Sequence, residues 1–117
     1  MRHQNKNKIL DRKVGPRRAL IKNLADSVII FEKVKTTTAK AKVIKPYVEK
    51  LITKSRNNDV ATRRYLITKL NSTRAVKKLL EVIGPKFKET KGGYLKLIKT
   101  DERQGDGAKM VYITFSK

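Results

Sequence analysis

Apolar residues recur every three or four positions through most of the chain and every second position near its end. The first periodic stretch follows Pro16, a residue suited to the first turn of a helix, and predicts an amphipathic helix of about four turns. Three further stripes predict helices, and these contain Ile44 to Ile52, Val60 to Leu70 and Ala75 to Ile83. We expect Pro46 to kink or break the second helix near residues 42–45, and Gly84-Pro85 to end the fourth.

Alternation of apolar and polar residues predicts two strands, at residues 94–99 and 110–115, joined by a glycine-containing loop. A short extended segment around Val34 is expected to add a third strand. The pattern predicts an α+β fold, with about four helices packed on a small mixed, mostly antiparallel three-stranded sheet. We divide the chain into a basic extended N-terminal arm at residues 1–15 and a single domain at residues 16–117.

The charge of the chain narrows its possible partners. Its 117 residues include 30 Lys and Arg against 10 Asp and Glu, which gives a formal net charge of +20 and a pI near 10.5. Such an excess favours a polyanionic partner, and a pI above about 9 is typical of nucleic-acid-binding domains. Cysteine is absent, and the longest apolar run, residues 28–31, is far too short to span a membrane. Since no signal peptide is visible, we expect a soluble intracellular protein.

The predicted arm has no apolar periodicity and cannot bury enough surface to order itself. It carries six basic side chains against one acid, Asp11. A merely solubilising tail is the alternative, but this charge balance favours an arm that orders on nucleic acid. The basic residues are Arg2, His3, Lys6, Lys8, Arg12 and Lys13, and Arg17 and Arg18 continue them into the first helix.

A second basic cluster surrounds the segment from Glu32 to Lys42. Three threonines, Thr36 to Thr38, can cap the helix that follows, and the exposed amides of a helix start attract anions. Cations in the first turns oppose the helix dipole, which suggests that an external anion compensates for them. From this segment alone, a phosphate pocket and a solvated lysine face are equally reasonable; the lysines concerned are Lys33, Lys35, Lys40 and Lys42.

Catalysis has little support in the sequence. The single histidine is His3, in the arm, and no serine lies in a glycine elbow. Asp101, Glu102 and Asp106 lack the alternating spacing of a calcium loop, and a turn that needs Asp and Gly explains them better. We therefore expect no catalytic residues, no metal, no cofactor and no small-molecule substrate. A nuclease or RNA-modifying enzyme that uses these three acids remains the rival from another class.

Several short motifs, in order along the chain, resemble the family of bacterial large ribosomal subunit protein seventeen. They are Met1-Arg2-His3, residues 17–20 (RRAL), 34–37 (VKTT), 39–42 (AKAK), 48–53 (VEKLIT), 92–94 (GGY) and 103–106 (RQGD). The resemblance covers essentially the full length. This chain differs from the family pattern at Glu32, where a glycine is common, and at Gly15-Pro16, where polar residues and histidine are common.

The resemblance implies a non-enzymatic constituent of the large ribosomal subunit in the cytoplasm, near the side where the nascent chain emerges. Its expected partners are large-subunit ribosomal RNA and neighbouring large-subunit ribosomal proteins, with no membrane. A free nucleic-acid-coating protein is the rival among binding proteins. The residues that the resemblance and the charge pattern assign to RNA binding are Arg2, His3, Lys6, Lys8, Arg12, Lys13, Arg17, Arg18, Lys33, Lys35, Thr36, Thr37, Lys40, Lys42 and Arg103.

Overall fold

The computed structural model describes residues 14–116, in which helices pack on one face of a three-stranded antiparallel sheet. The α+β class is therefore confirmed, and both strand pairings are antiparallel. Residues 1–13 of the predicted arm lie outside the described residues. The elements are α1 (Val14–Phe31), β1 (Lys33–Thr37), α2 (Thr38–Ser55), α3 (Val60–Lys69), α4 (Thr73–Lys78), a π-helical turn (Leu79–Ile83), α5 (Gly84–Lys86), β2 (Leu95–Lys99) and β3 (Met110–Phe115).

The last strand in the chain is the middle strand of the sheet, whose order is β1-β3-β2. β1 forms the predicted third strand and pairs with β3, so that Val34 lies opposite Ile113. β2 pairs with the other edge of β3 and places Leu97 opposite Ile113 as well. Helix α2 contacts all three strands. Val111, Ile113 and Phe115 on β3 and Leu95 on β2 are buried and belong to the hydrophobic core.

Short polar side chains begin three of the helices, as the sequence indicates. Thr37 accepts a hydrogen bond from the Lys40 amide at 3.5 Å, and Asp59 accepts one from the Thr62 amide at 2.7 Å. Ser72 caps α4 in the same way. Helix α1 begins at Val14, two residues earlier than expected, and Pro16 still lies in its first turn. These caps satisfy amides that helix geometry leaves without intrahelical partners.

The second helix is not broken near residues 42–45, so the break expected as the alternative to a kink is wrong. Helix α2 is continuous from Thr38 to Ser55 and contains Pro46. A proline removes one intrahelical hydrogen bond, which here would go to the Lys42 carbonyl. Lys42 and Pro46 are both exposed, so water can take the place of that donor.

The expected end of the fourth helix at Gly84-Pro85 is also wrong. The backbone passes from α4 through the π-helical turn into α5, and Gly84 is right-handed with φ −54°. A Cβ at Gly84 would lie 2.6 Å from the Ser55 carbonyl oxygen and 2.9 Å from that of Leu79. Gly84 is thus required by the close packing of this helix on α2, not by a left-handed turn.

The helix-to-strand turn after α1 is made by Glu32 in a left-handed conformation, with φ 64°. Its amide donates to the Val28 carbonyl at 2.9 Å, and its carboxylate lies 3.3 Å from the Lys78 ammonium. A residue with a Cβ is strained in this conformation, whereas glycine is not. The chain thus retains the turn that glycine would favour and adds an ion pair to it.

The core contains a cluster of aromatic rings. Phe87 is fully buried in it, whereas Phe31, at the end of the apolar run 28–31, is 70% exposed. The Phe87 ring packs against Tyr94 with centroids 5.2 Å apart and against Phe115 at 5.8 Å. Helix α1 already buries Val28 and Ile29, so Phe31 at its end faces away from the core.

A buried carboxyl joins α1 to the start of α4. Asp26 is 8% exposed and lies near the backbone amides of Asn71 and Ser72, which favour its charged form. Burial nevertheless raises the pKa of Asp26 above its ordinary value, because desolvation outweighs the effect of these amides. Nearby, the Asn71 side-chain amide donates to the Asn23 side chain at 2.8 Å. These contacts hold α1 beside the turn between α3 and α4.

Candidate nucleic-acid interface

The face of the sheet opposite the helices carries a row of lysines around one tyrosine. Because side chains alternate along a strand, Lys33 and Lys35 of β1 lie on the same face, and both are exposed. Their ammonium nitrogens lie 4.5 Å and 5.9 Å from the centroid of the Tyr112 ring on β3. The strand register places Lys35 opposite Tyr112 and Lys33 opposite Thr114.

The same face continues onto β2. Lys96 lies opposite Thr114, and Ile98, which is 44% exposed, lies opposite Tyr112. None of the three strands contains an acidic residue. Cations over a half-buried ring, with no acid on the strands, suit a polyanion with planar groups. We call this surface the outer sheet face; it consists of Lys33, Lys35, Lys96, Ile98, Tyr112 and Thr114.

The two threonines in the expected RNA-binding set occupy structural positions. Thr36 is only 8% exposed and lies on the core-facing side of β1. Thr37 caps α2, and the next residue, Thr38, donates both its amide and its hydroxyl to the Lys109 carbonyl, at 3.1 and 3.2 Å. Amides at the start of α2 are therefore already engaged by the chain itself.

The four lysines expected to rim one phosphate pocket divide between two elements. Lys33 and Lys35 lie over Tyr112, on the outer sheet face. Lys40 and Lys42 belong to the first turns of α2, where Lys40 is half-buried and Lys42 is exposed. The four lysines lie within ten residues of each other in the sequence, but because the chain turns from strand to helix between the two pairs, the pairs point in different directions.

A basic cleft lies beside the start of α1. It has a volume of about 460 Å³ and is lined by Arg18, Lys22 and Lys69, together with Ile21, Tyr47 and Thr68. The Tyr47 hydroxyl donates to the Lys69 carbonyl at 2.6 Å, and burial raises the pKa of this hydroxyl. Arg17, the neighbour of Arg18, is half-buried. Lys22 could have been found from its position four residues after Arg18, but Lys69 could not, because another helix supplies it.

Arg103 is held inside its own loop. Its guanidinium makes two hydrogen bonds to the Asp106 carboxylate, at 3.2 Å and 2.6 Å. This contact, with the Ala108 amide, lowers the pKa of Asp106 to about 2. Asp106 therefore has a structural partner, and the described residues contain no group of three His, Cys, Asp or Glu side chains that could hold a metal ion.

A second tyrosine, Tyr65 of α3, lies between two lysines. The Tyr65 ring centroid is 5.2 Å from the Lys54 ammonium and 5.6 Å from that of Lys69. It borders a cleft of about 620 Å³ that also includes Gly92, Gly93 and Tyr94. Unlike Tyr112, Tyr65 packs against the hydrophobic core. Tyr65 and Lys69 are four residues apart on α3, a spacing that the sequence shows, whereas Lys54 and the Tyr112 cluster depend on contacts between distant elements.

Six of the residues expected to contact RNA lie outside the described part of the chain. For the others, the structure brings Lys33 and Lys35 together, places Lys40 and Lys42 on the next helix, and pairs Arg103 within its loop. It adds Lys96 and Tyr112, which sequence analysis did not assign to binding. The six residues outside are Arg2, His3, Lys6, Lys8, Arg12 and Lys13.

Together these features define a small, strongly basic α+β protein whose exposed sheet face carries lysines without acids. None of the helices in the described range is long and apolar enough to cross a membrane. A charge distribution of this kind is typical of proteins that bind an extended polyanion through many separate contacts.

Comparison with known proteins gives the family. The family model described as ribosomal protein L17 matches residues 20–116. The proteins named large ribosomal subunit protein bL17 from Nautilia profundicola and Campylobacter concisus are 46% and 45% identical to this chain. These alignments cover 98% and 97% of this chain, and 98% and 96% of the relatives. The Rickettsia bellii protein of the same name is 39% identical over 98% of this chain and 81% of its own length.

The chain belongs to the ribosomal protein L17 family. This confirms the resemblance noted in the sequence and its main consequence, a non-enzymatic structural protein of the large ribosomal subunit. The subunit is cytoplasmic in bacteria, as expected. The alternative interpretation of the chain as a nuclease that uses Asp101, Glu102 and Asp106 is thereby excluded.

Proposed function

We propose that this protein binds large-subunit ribosomal RNA through phosphate contacts and so positions RNA helices near the nascent-chain exit side. The observation that carries the proposal is the outer sheet face, where Lys33, Lys35 and Lys96 have no acidic neighbour within the sheet. A folded RNA presents phosphates in several directions, which suits basic residues spread over many elements. Neighbouring large-subunit proteins would complete its surroundings.

The contacts would form three groups. The first is the arm and the start of α1, the second is the outer sheet face, and the third is the start of α2. Thr36 and Thr37 would act by shaping the turn between the second and third groups. Arg103 would contribute only the donors that its pair with Asp106 leaves available. The residues are Arg2, His3, Lys6, Lys8, Arg12, Lys13, Arg17, Arg18, Lys33, Lys35, Lys40, Lys42 and Arg103, with Lys96 added.

The proposal is tested by binding to purified large-subunit ribosomal RNA over a range of salt concentrations. If six to ten phosphates are contacted, affinity should fall by about three orders of magnitude or more between about 50 and 200 mM salt. Duplex DNA at matched salt is the control. Equal affinity for DNA and for ribosomal RNA would favour a general nucleic-acid-coating protein and contradict the proposal.

The contribution of the arm can be measured by amide hydrogen exchange. We expect protection of residues 1–13 to increase on addition of large-subunit RNA, because five Lys and Arg side chains and His3 would meet phosphates there. Equal exchange with and without RNA would remove the arm from the proposed interface. The exit-side position is tested separately, by photocrosslinking from a nascent chain in stalled ribosomes to this protein.

A further inference from the structure

Tyr112 occupies a position that the fold does not need for stability. It lies at the middle of the central strand, and its neighbours Val111 and Ile113 supply the core contacts, with 3% and 0% exposure. Tyr112 does not belong to the hydrophobic core cluster, and it does not pack against that cluster. An aromatic ring on the solvent side of a sheet, away from the core, is available to a ligand.

The groups around this ring are those that a single-stranded nucleic acid requires. Ile98 extends the apolar surface on one side, and Lys33 and Lys35 place their ammonium groups beside the ring on the other. Bases stack on aromatic rings while lysines neutralise the phosphates that flank them. Sheet surfaces that carry aromatic residues bind RNA in this way when its bases are unpaired.

We propose that the outer sheet face is a platform for unpaired RNA, on which one base stacks against Tyr112. This inference rests on the proposed RNA-binding function and specifies its ligand as a loop, bulge or end in which bases are exposed. Lys33, Lys35 and Lys96 neutralise phosphates on either side of the stacked base. A fully paired duplex presents its phosphates to these lysines but no base face to the ring.

The lysine contacts with the ring do not prevent stacking. The Lys33 ammonium lies over the ring at 4.5 Å in the absence of ligand, on a flexible and exposed side chain. Cation–π contacts at exposed sites are weak, and a lysine that leaves the ring can move to a phosphate. The lysines therefore cover the ring when RNA is absent and pair with the backbone when a base is present.

The first experiment uses fluorescence, because the chain contains no tryptophan. In the full-length Tyr112→Trp variant, an oligoadenylate of about ten nucleotides, within the usual site size for single strands, should quench the emission strongly. An RNA duplex of the same length should quench it far less at equal occupancy. Tyr65→Trp is the matched control, since Tyr65 also lies between two lysines, and its emission should change little.

The second experiment compares affinities. Tyr112→Leu should weaken oligoadenylate binding about fivefold or more, Tyr112→Phe should bind nearly as wild type, and Tyr65→Leu should leave the affinity unchanged. The affinity of Tyr112→Leu for the duplex should not change. If Tyr112→Leu does not fold, the quenching of Tyr112→Trp by oligoadenylate and by duplex still decides the question.

Two results would overturn the platform. One is equal quenching of Tyr112→Trp by oligoadenylate and by duplex, and the other is wild-type affinity of a folded Tyr112→Leu for oligoadenylate. Either result, with large-subunit RNA still bound by the wild type, removes the platform and leaves the proposed function intact. Failure of the wild type to bind large-subunit RNA would overturn both.

Discussion

The two faces of the sheet are built from the same three strands and have opposite chemistry. The face toward the helices presents Val111, Ile113 and Phe115, all buried. The face toward solvent presents Tyr112 and lysines such as Lys33, without any acid on the strands. Successive residues alternate between these faces because the side-chain period of a strand is two.

This difference shows how a chain with a net charge of +20 keeps its charges out of the core. The charges lie where solvent and counterions reach them, while the inner face buries apolar groups and the Thr36 side chain, so repulsion and core packing do not compete at the same positions. Stability and ligand binding should therefore respond to substitutions on different faces. The four predictions below test that separation, beginning with the largest expected effect.

Removing side-chain volume from the inner face should reduce stability most. Ile113 is fully buried on the central strand, and Ile113→Ala should lower the free energy of unfolding by about 3 kcal/mol, through lost burial and a cavity. Urea denaturation followed by circular dichroism measures this. Thr114→Val, one residue along on the outer face, is the matched control and should change stability by less than about 1 kcal/mol. Similar decreases in the free energy of unfolding for the two variants would show that the two faces do not contribute separately to stability.

Removing charge from the outer face should reduce RNA binding instead. The combined variant Lys33→Gln, Lys35→Gln, Lys96→Gln should lower the slope of log affinity against log salt by about 2 to 3, since each contacted phosphate contributes about 0.7–0.9. Its unfolding free energy should be unchanged or slightly higher, because repulsion within the face is relieved.

The control for this variant removes equal charge elsewhere. Lys77, Lys88 and Lys91 are all exposed and do not belong to the proposed interface. Their joint substitution by glutamine should leave most of the salt slope in place. Equal loss in the two triple variants would mean that net charge, and not the outer sheet face, determines binding.

Glu32 lies at the turn into β1, and its replacement tests both properties at once. Glu32→Gly should stabilise the protein by about 0.5 kcal/mol, because relief of the left-handed strain exceeds the loss of one exposed ion pair and the added chain entropy. RNA affinity should rise slightly, since an acid next to β1 is removed. Glu32→Gln keeps the strain and removes only the charge, so it should raise affinity without adding stability. A loss of stability in Glu32→Gly, measured by urea denaturation, would show that the Lys78 pair dominates.

The smallest effect is expected at Arg103. Pairing with Arg103 lowers the pKa of Asp106 from its ordinary value of 3.8 to about 2, so the contribution of the pair to stability is fully present above the ordinary value and is lost progressively as pH falls from there through about 2. Arg103→Gln should raise the pKa of Asp106 toward its ordinary range, which NMR titration of the carboxyl measures. Its RNA affinity should fall less than that of Lys33→Gln. A larger fall would mean that Arg103 leaves Asp106 to bind RNA.

Some parts of this structure follow from local chemistry and were predictable. The spacing of apolar residues, every three or four positions and then every second position, predicts the helices and strands. Thr37, Asp59 and Ser72 cap helices because the oxygen of a short side chain reaches a nearby backbone amide. Other parts depend on distant contacts. Gly84-Pro85 looks like a helix stop, but the Ser55 carbonyl 2.6 Å from a would-be Cβ explains the glycine, and no local pattern contains that distance.

The residues of the candidate site also fall into two sets, those predictable from the local sequence and those that depend on distant contacts. The lysines of β1 could be assigned to one cluster because they are adjacent in the chain, and the family resemblance supports an RNA-binding interpretation. Lys96 and Tyr112 could not be assigned, because they join Lys33 and Lys35 only through the pairing of β1 and β2 with β3. Arg103 was assigned from its motif, while its engagement with Asp106 depends on the shape of the loop.

The sequence by itself determined the α+β class, the strong positive charge, the family and the alternation that separates an apolar face from a polar one. Only the tertiary structure decided that the last strand is the central one and that Tyr112 lies beneath the lysines of the first. Helix periods and caps arise from groups a few residues apart. Strand order depends on contacts across nearly eighty residues, and on how three strands and four helical segments bury their apolar faces together.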